Sequence, residues 1–207
     1  MPQPVKDGPT IRSEDPANPS MTDEQLMFAF QRGSSEAFTH LFHRYQQPLF
    51  GFFRRRVTDA SLAEELTQET FIAVLRRIAH YKAVSLFRTY LYAIGFHVLR
   101  SYRRKAFFRA GFTGTAAIEH EPATGPSFES DFLLRQALRK LDRVDREVLL
   151  LREFEQLAYA EIAVILHLPV NTVRSRLFRA RSALRELLNE PPIRSTSKQL
   201  SITKEQA

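Results

Sequence analysis

The sequence predicts an all-α protein of two small helical domains joined by a flexible linker. The first observation is where the helix breakers fall. Of 11 prolines in 207 residues, five precede residue 21 and two are Pro191 and Pro192. Only Pro48 and Pro169 interrupt the two long stretches 21–105 and 129–190. The second observation is that apolar residues in those stretches recur every three or four positions, the repeat of a helix with one buried face. The third is that Gly111, Gly114, Gly125, Pro122 and Pro126 gather in 106–128, the composition of a linker. The expected organisation is a disordered N-terminal tail at 1–20, a domain at 21–105, a linker at 106–128, a second domain at 129–190 and a disordered C-terminal tail at 191–207.

Each element has its own signal. Thr22 and Gln25 have the spacing of a capping box, so a short helix starts there and ends at Gly33. A second helix begins near Ser34 and carries Phe38, Leu41, Phe42, Tyr45, Leu49, Phe52 and Phe53 on one face. Pro48 should bend it, and Arg54, Arg55 and Arg56 end it, where positive charge suits the helix dipole. Ser61 and Glu64 read as a second capping box, opening a helix through Leu62, Leu66, Phe71, Val74, Leu75 and Ile78. A loop at 81–86 precedes a helix from Phe87 to Lys105 that is both basic and aromatic. That pairing suits single-stranded nucleic acid: cations for phosphate and flat rings for unstacked bases. At helical spacing, most of those rings are expected to be core.

In the second stretch a helix runs from Phe132 to Lys140, another starts at Asp142, and Tyr159–Leu166, His167–Val170 and Asn171–Leu177 read as helix, tight turn, helix. Ile162, Ala163 and Leu166 can meet Val173 and Leu177 across the turn. From Asn171 to Arg185 there are five arginines and no acid. Such a helix can enter a major groove, where arginine bonds guanine in a bidentate fashion.

Composition bounds the function. At 43% hydrophobic and 26% charged, the chain is globular rather than wholly disordered. The absence of cysteine excludes a disulfide framework, a thiolate zinc site and a cysteine nucleophile. No apolar run approaches the ~18 residues of a membrane span, and the proline-rich N-terminus does not resemble a signal peptide, so the expected location is the cytoplasm without membrane insertion. Residues 21–105 hold 13 basic and 7 acidic side chains, which accounts for +6 of the net +7. Such a block attracts a polyanion. His40 and His43 are three apart on a helix, but no further ligand completes a metal site. No phosphate loop or nucleophile–base pair is visible, so no cofactor, metal, catalytic residue or enzyme activity is expected.

These residues resemble the bacterial RNA polymerase sigma factors of the extracytoplasmic-function type, group 4 of the sigma-70 family. Leu66-Thr67-Gln68-Glu69-Thr70-Phe71 is similar to the family's region 2.2, and Phe87-Arg88-Thr89-Tyr90-Leu91-Tyr92 to its region 2.3–2.4 helix. Arg146–Arg152, Tyr159–Ala163 and Arg174–Arg181 look like region 4. The resemblance implies that 21–105 is a region 2-like domain and 129–190 a region 4-like helix-turn-helix domain.

It further implies a function: binding core RNA polymerase and directing initiation at promoters by recognising −35 and −10 elements and assisting melting. Glu65, Gln68 and Glu69 match the face that docks on the β′ clamp helices, with Glu65 where aspartate is usual. Tyr81, Arg88, Tyr90, Tyr92, His97, Arg100, Arg103 and Arg104 would engage the −10 element. Thr172, Arg174, Ser175, Arg176, Phe178 and Arg179 would read the −35 element. The second domain would also dock on the β flap. An anti-sigma factor is the implied regulator, able to hold the protein at the membrane. The family's usual tryptophans are absent. Ala93, Phe96, His97 and Ser101 replace usual polar residues, and His167 replaces a turn glycine. Ala158 replaces a serine cap, which weakens that helix start by ~1 kcal/mol. The alternative is a stand-alone helix-turn-helix regulator in which 21–105 binds a ligand or dimerises.

Overall fold

The computed structural model describes residues 21–113 and 129–189. The tails expected at 1–20 and 191–207, and 114–128 of the expected linker, lie outside them. The described residues form eight α-helices and one 3-10 turn: α1 Asp23–Gln31, α2 Ser35–Arg54, α3 Ala60–Arg76, the turn Ile78–His80, α4 Phe87–Thr113, α5 Glu129–Lys140, α6 Arg143–Glu153, α7 Tyr159–Leu166 and α8 Val170–Asn189. No strand occurs among them.

The first capping box forms as expected. Gln25 N–H donates to Thr22 Oγ1 at 3.3 Å, and Thr22 N–H donates to Gln25 Oε1 at 2.8 Å. Gly33, at φ +101°, makes the turn into α2, which Ser34 caps. The second expected capping box does not form. Asp59 is the cap of α3 and accepts from Ser61 N–H at 3.0 Å. A carboxylate two residues earlier satisfies the free backbone donor with a full charge at the positive end of the helix, so Ser61 is left inside the first turn.

Helices α1–α4 share one core. Leu26, Met27, Leu41, Leu49, Phe52, Phe53, Leu66, Phe87, Leu91 and Leu99 are almost wholly buried there. Gly95 brings α4 close to α2, since a Cβ at that position would lie 3.3 Å from Leu49 Cδ1. Two buried threonines of α3, Thr67 and Thr70, donate to the carbonyls of Ala63 and Leu66, both at 2.7 Å. Each spends its hydroxyl within its own helix and presents a methyl to the core. Two side chains of α1 tie down the entrance to α4. Gln31 donates to the carbonyls of Ile78 and Tyr81 at 2.7 and 2.9 Å, and Glu24 accepts from Phe87 N–H at 2.8 Å.

Helices α5–α8 form the second group around Val148, Leu151, Leu157, Ile162, Val173, Leu177 and Ala180. Asp142 caps α6 by accepting from Val144 and Asp145 N–H. Ala158 offers no side-chain cap to α7. Glu161 supplies the other half of a box by accepting from Ala158 N–H at 2.6 Å. His167 closes α7 in the left-handed region at φ 55°, ψ 48°, the conformation that the tight turn requires. Residues 106–113, expected to be linker, continue α4.

The two caps make opposite predictions at α3. Asp59→Ala should lower stability by about 1 kcal/mol in urea unfolding, whereas Ser61→Ala should leave it within a few tenths. Equal losses would restore Ser61 as the cap.

Candidate functional site

Helix α3 offers one continuous polar face. Its core side is Ala63, Leu66, Thr67, Thr70, Phe71 and Val74. The 3.6-residue period therefore turns Glu65, Gln68, Glu69 and Ile72 outward together, and all four are exposed.

Helix α8 exposes a second face. Val173, Leu177 and Ala180 are buried, which directs Arg174, Ser175, Phe178 and Arg179 to solvent, with Phe178 72% exposed. Thr172 is half-buried. Arg176 behaves differently from the rest of the set. Its Nη1 lies 2.7 Å from Asp145 and 3.3 Å from Asp142, so it ties α8 to the capped start of α6. Arg176 thus braces α8 against α6 in this structure.

Seven of the eight residues matched to the −10 element lie on α4, in two stripes, and Tyr81 precedes that helix. Tyr90, His97, Arg100 and Arg104 follow one side; the last three are exposed and Tyr90 is half-buried beside Tyr81, with ring centres 5.2 Å apart. Arg88, Tyr92 and Arg103 face the second helical group. Tyr92 is buried with its ring 5.4 Å from Phe52. Tyr81 is likewise core, and burial together with the nearby Glu24 pushes its phenol up to about 12. These two tyrosines shape the helix entrance instead of presenting open rings.

The contact between the two groups joins their apolar cores and adds a set of ion pairs that was not anticipated. Arg56, with 1% of its side chain exposed, lies between Glu147 at 2.8 Å and Glu155 at 3.4 Å. Arg55 donates to both oxygens of Glu155 at 2.9 and 3.0 Å. Arg103 reaches Glu147 at 3.5 Å and the carbonyl of Arg56 at 3.2 Å. At the far end, Glu161 accepts from Arg88 at 2.8 and 3.2 Å and from the Thr89 hydroxyl. Burial alone would raise the Glu147 carboxyl, yet Arg56 and Arg103 hold it below the usual carboxylate range. Glu161 is also raised by burial and lowered further by Arg88 and Thr89, with a net downward shift. A signal for this clasp existed in the sequence: Glu147 occupies the apolar side of α6, one turn from Leu150 and Leu151. A carboxylate there is buried and demands a cation.

Two family descriptions match the chain, Sigma-70 region 2 over residues 41–107 and Sigma-70 region 4 over residues 131–184. The RNA polymerase sigma-H factor of Pseudomonas aeruginosa is 34% identical over 180 residues, spanning 80% of this chain and 93% of that protein. The ECF RNA polymerase sigma-E factor of Escherichia coli K12 is 32% identical over 183 residues, 79% of this chain and 93% of the relative. The chain belongs to the sigma-70 family, in its extracytoplasmic-function group. As a sigma factor it directs promoter-specific transcription initiation by RNA polymerase; the stand-alone regulator is not favoured. The fold is that of CnrH, solved with the cytosolic domain of CnrY, at TM-score 0.62 and 26% identity over 80% of this chain and 96% of that one. It is also that of the Bartonella quintana sigma factor RpoE, solved with the anti-sigma factor NepR, at TM-score 0.63 and 24% identity over 73% and 96%. No helix among the described residues of this sigma factor is long and apolar enough to cross a membrane.

The clasp carries a pH signature. Carboxyls depressed in the folded state stabilise it above their unfolded pKa, and that contribution is lost as pH falls through the folded one. Small-angle scattering should give a constant radius of gyration from pH 7 down to about 5 and expansion below about pH 4. A radius that grows between pH 5 and 7 would contradict carboxylate control.

Proposed function

We propose that this sigma factor uses the exposed face of α3 to dock on the polymerase β′ clamp helices, through Glu65, Gln68 and Glu69. The observation that carries this reading is that the three polar residues share one outward stripe with exposed Ile72, while every core residue of α3 lies on the other side. The second helical group, 129–190, is the −35 reader and docks on the β flap; the first, 21–105, engages the −10 element. On α8, Arg174, Ser175, Phe178 and Arg179 form the reading surface, with Thr172 at its N-terminal edge and Arg176 as the support beneath. On α4, Tyr90, His97, Arg100 and Arg104 form the −10 stripe. Capture of an unstacked base there lowers the cost of opening the duplex. This is binding energy applied to DNA, so the chain itself catalyses no bond change. An anti-sigma factor is the natural regulator, a reading motivated by the related CnrH structure with CnrY. The working location is the cytoplasm, with polymerase on DNA, or at the membrane through the anti-sigma factor.

Run-off transcription with bacterial core polymerase on genomic promoter fragments tests the promoter-reading surfaces. Initiation should depend on the chain and define both elements. Arg174→Ala or Arg179→Ala should cost about 1–3 kcal/mol at one −35 position and less elsewhere, because each removes hydrogen bonds to a single base. Arg176→Ala should weaken all promoters alike. A sequence-selective loss for Arg176→Ala would return that residue to the reading set.

The docking face is tested separately. Gln68→Ala combined with Glu69→Ala should weaken core binding at least tenfold, about 1.4 kcal/mol, without changing the urea midpoint. Unchanged core affinity would remove α3 from the interface.

A further inference from the structure

Helix α1 packs on the first core through Leu26, Met27 and Ala29. A second stripe is left at Glu24, Phe28 and Gln31, whose spacing of four and three residues sets them on one side of the helix. That side meets the segment between the 3-10 turn and α4 at both of its ends. At the entry, Gln31 Nε2 donates to the carbonyls of Ile78 and Tyr81 at 2.7 and 2.9 Å. The Phe28 ring meets the Tyr81 ring edge-on, with centres 6.1 Å apart. At the exit, Glu24 accepts from Phe87 N–H at 2.8 Å. Phe87 is the first residue of α4, and Leu86 before it has no side-chain acceptor. Glu24 therefore caps α4 from 63 positions away in the chain.

The bar that carries these tethers is itself fixed. The capping box at Thr22 holds its first turn, and Asp23 accepts from Arg44 and from the Tyr45 hydroxyl, both on α2. Between the tethers, Lys82 to Leu86 are five consecutive exposed residues. Val84 is 88% exposed and Leu86 53%. Side chains that stand in water add nothing to the core, so this loop takes its order from its ends. It also adjoins the −10 stripe of α4. Tyr90 N–H donates to the Leu86 carbonyl at 3.2 Å, and the Tyr90 ring rests beside Tyr81.

We propose that Glu24 and Gln31 are positioning residues for promoter selection: from α1 they hold 82–86 as a preformed wall beside Tyr90, against which an unstacked −10 base is matched. A wall ordered in advance draws no binding energy for its own ordering, and it rejects a base that fits badly. A slack loop re-packs around any base and discriminates less. The inference rests on the reading that the Tyr90 stripe faces the −10 element.

Gln31→Met keeps the length of the side chain and removes both donors. Glu24→Ala removes the acceptor for Phe87 N–H, whereas Glu24→Gln keeps one. Each full-length variant, assembled with core polymerase, is measured for initiation on promoters that differ at single −10 positions and, separately, at single −35 positions. Gln31→Met and Glu24→Ala should reduce the ratio of initiation between preferred and disfavoured −10 bases about fivefold, the worth of one lost hydrogen bond. The −35 ratios should not change, and Glu24→Gln should retain most of the −10 ratio. In the free chain, exchange of the Phe87 amide, which has no partner within its own helix, should speed up about tenfold in Glu24→Ala and little in Glu24→Gln. Gln25→Ala, which breaks the capping box of α1 without touching the loop, should lower initiation on all promoters alike.

Unchanged −10 ratios in either Gln31→Met or Glu24→Ala, or equal losses at −10 and −35, would overturn the proposal and leave the two residues as tethers of the fold. A selective −10 loss in Gln25→Ala would equally overturn it, because loosening of α1 would then suffice. So would a Glu24→Gln variant that behaves as Glu24→Ala. Arg100→Ala on the same promoters separates this inference from the reading beneath it. If Arg100→Ala changes the −10 ratios while the α1 variants do not, the stripe stands and the positioning falls; if none changes them, both fall.

Discussion

A guanidinium with 1% of its side chain exposed must be neutralised, and Arg56 is neutralised across a boundary between two groups of helices. That requirement sets how the molecule is arranged. Removing both acids would leave an unpaired buried charge, which costs about 3–5 kcal/mol. The same arginine is packed on the Phe52 ring and bonded to its carbonyl, so the first core, the end of α2 and the second group meet at a single side chain. The ion pairs at this boundary couple the arrangement of the two groups to ionic conditions and pH, which its apolar contacts alone would not do.

The clasp also explains why α4 serves two ends. A helix of 27 residues has enough faces to pack on α2, meet α7 and still leave a stripe to solvent. Leu91, Ile94, Val98 and Leu99 use the first face. Arg88, Thr89 and Arg103 use the second. His97, Arg100 and Arg104 retain the third. In the second group, the same division of labour distinguishes Arg176, spent on Asp142 and Asp145, from exposed Arg174, with Arg179 between the two cases, exposed but 3.8 Å from Asp145. Basic residues on one helix are thus not equivalent: those whose direction meets an acid hold the scaffold, and those whose direction meets water remain to bind a polyanion.

The capping chemistry connects these roles. Glu161 satisfies the start of α7 by accepting from Ala158 N–H, and with the same carboxylate it holds Arg88 and Thr89. Asp142 caps α6 and receives Arg176. In both cases an acid at a helix start, stabilised there by the helix dipole and backbone donors, becomes the anchor for an arginine of another element. Local structure and tertiary contact are built from the same atoms.

The sequence by itself determined the helical class, the helix-turn-helix, the capping box at Thr22, the left-handed His167 and the outward faces of α3 and α8. All of these follow from interactions within a few residues or from the 3.6-residue period. It also carried the family, through motifs in series. Tertiary structure alone decided which basic residues are free. The roles of Arg56, Arg88 and Arg103 depend on Glu147, Glu155 and Glu161, which lie 44 to 99 positions away in the chain. No periodicity links residues at that separation. The replacement of Ser61 by Asp59 as a cap, and the extension of α4 to Thr113, show the other limit. Helix ends are settled by small differences between neighbouring donors and acceptors, and a capping pattern in sequence cannot rank two candidates two residues apart.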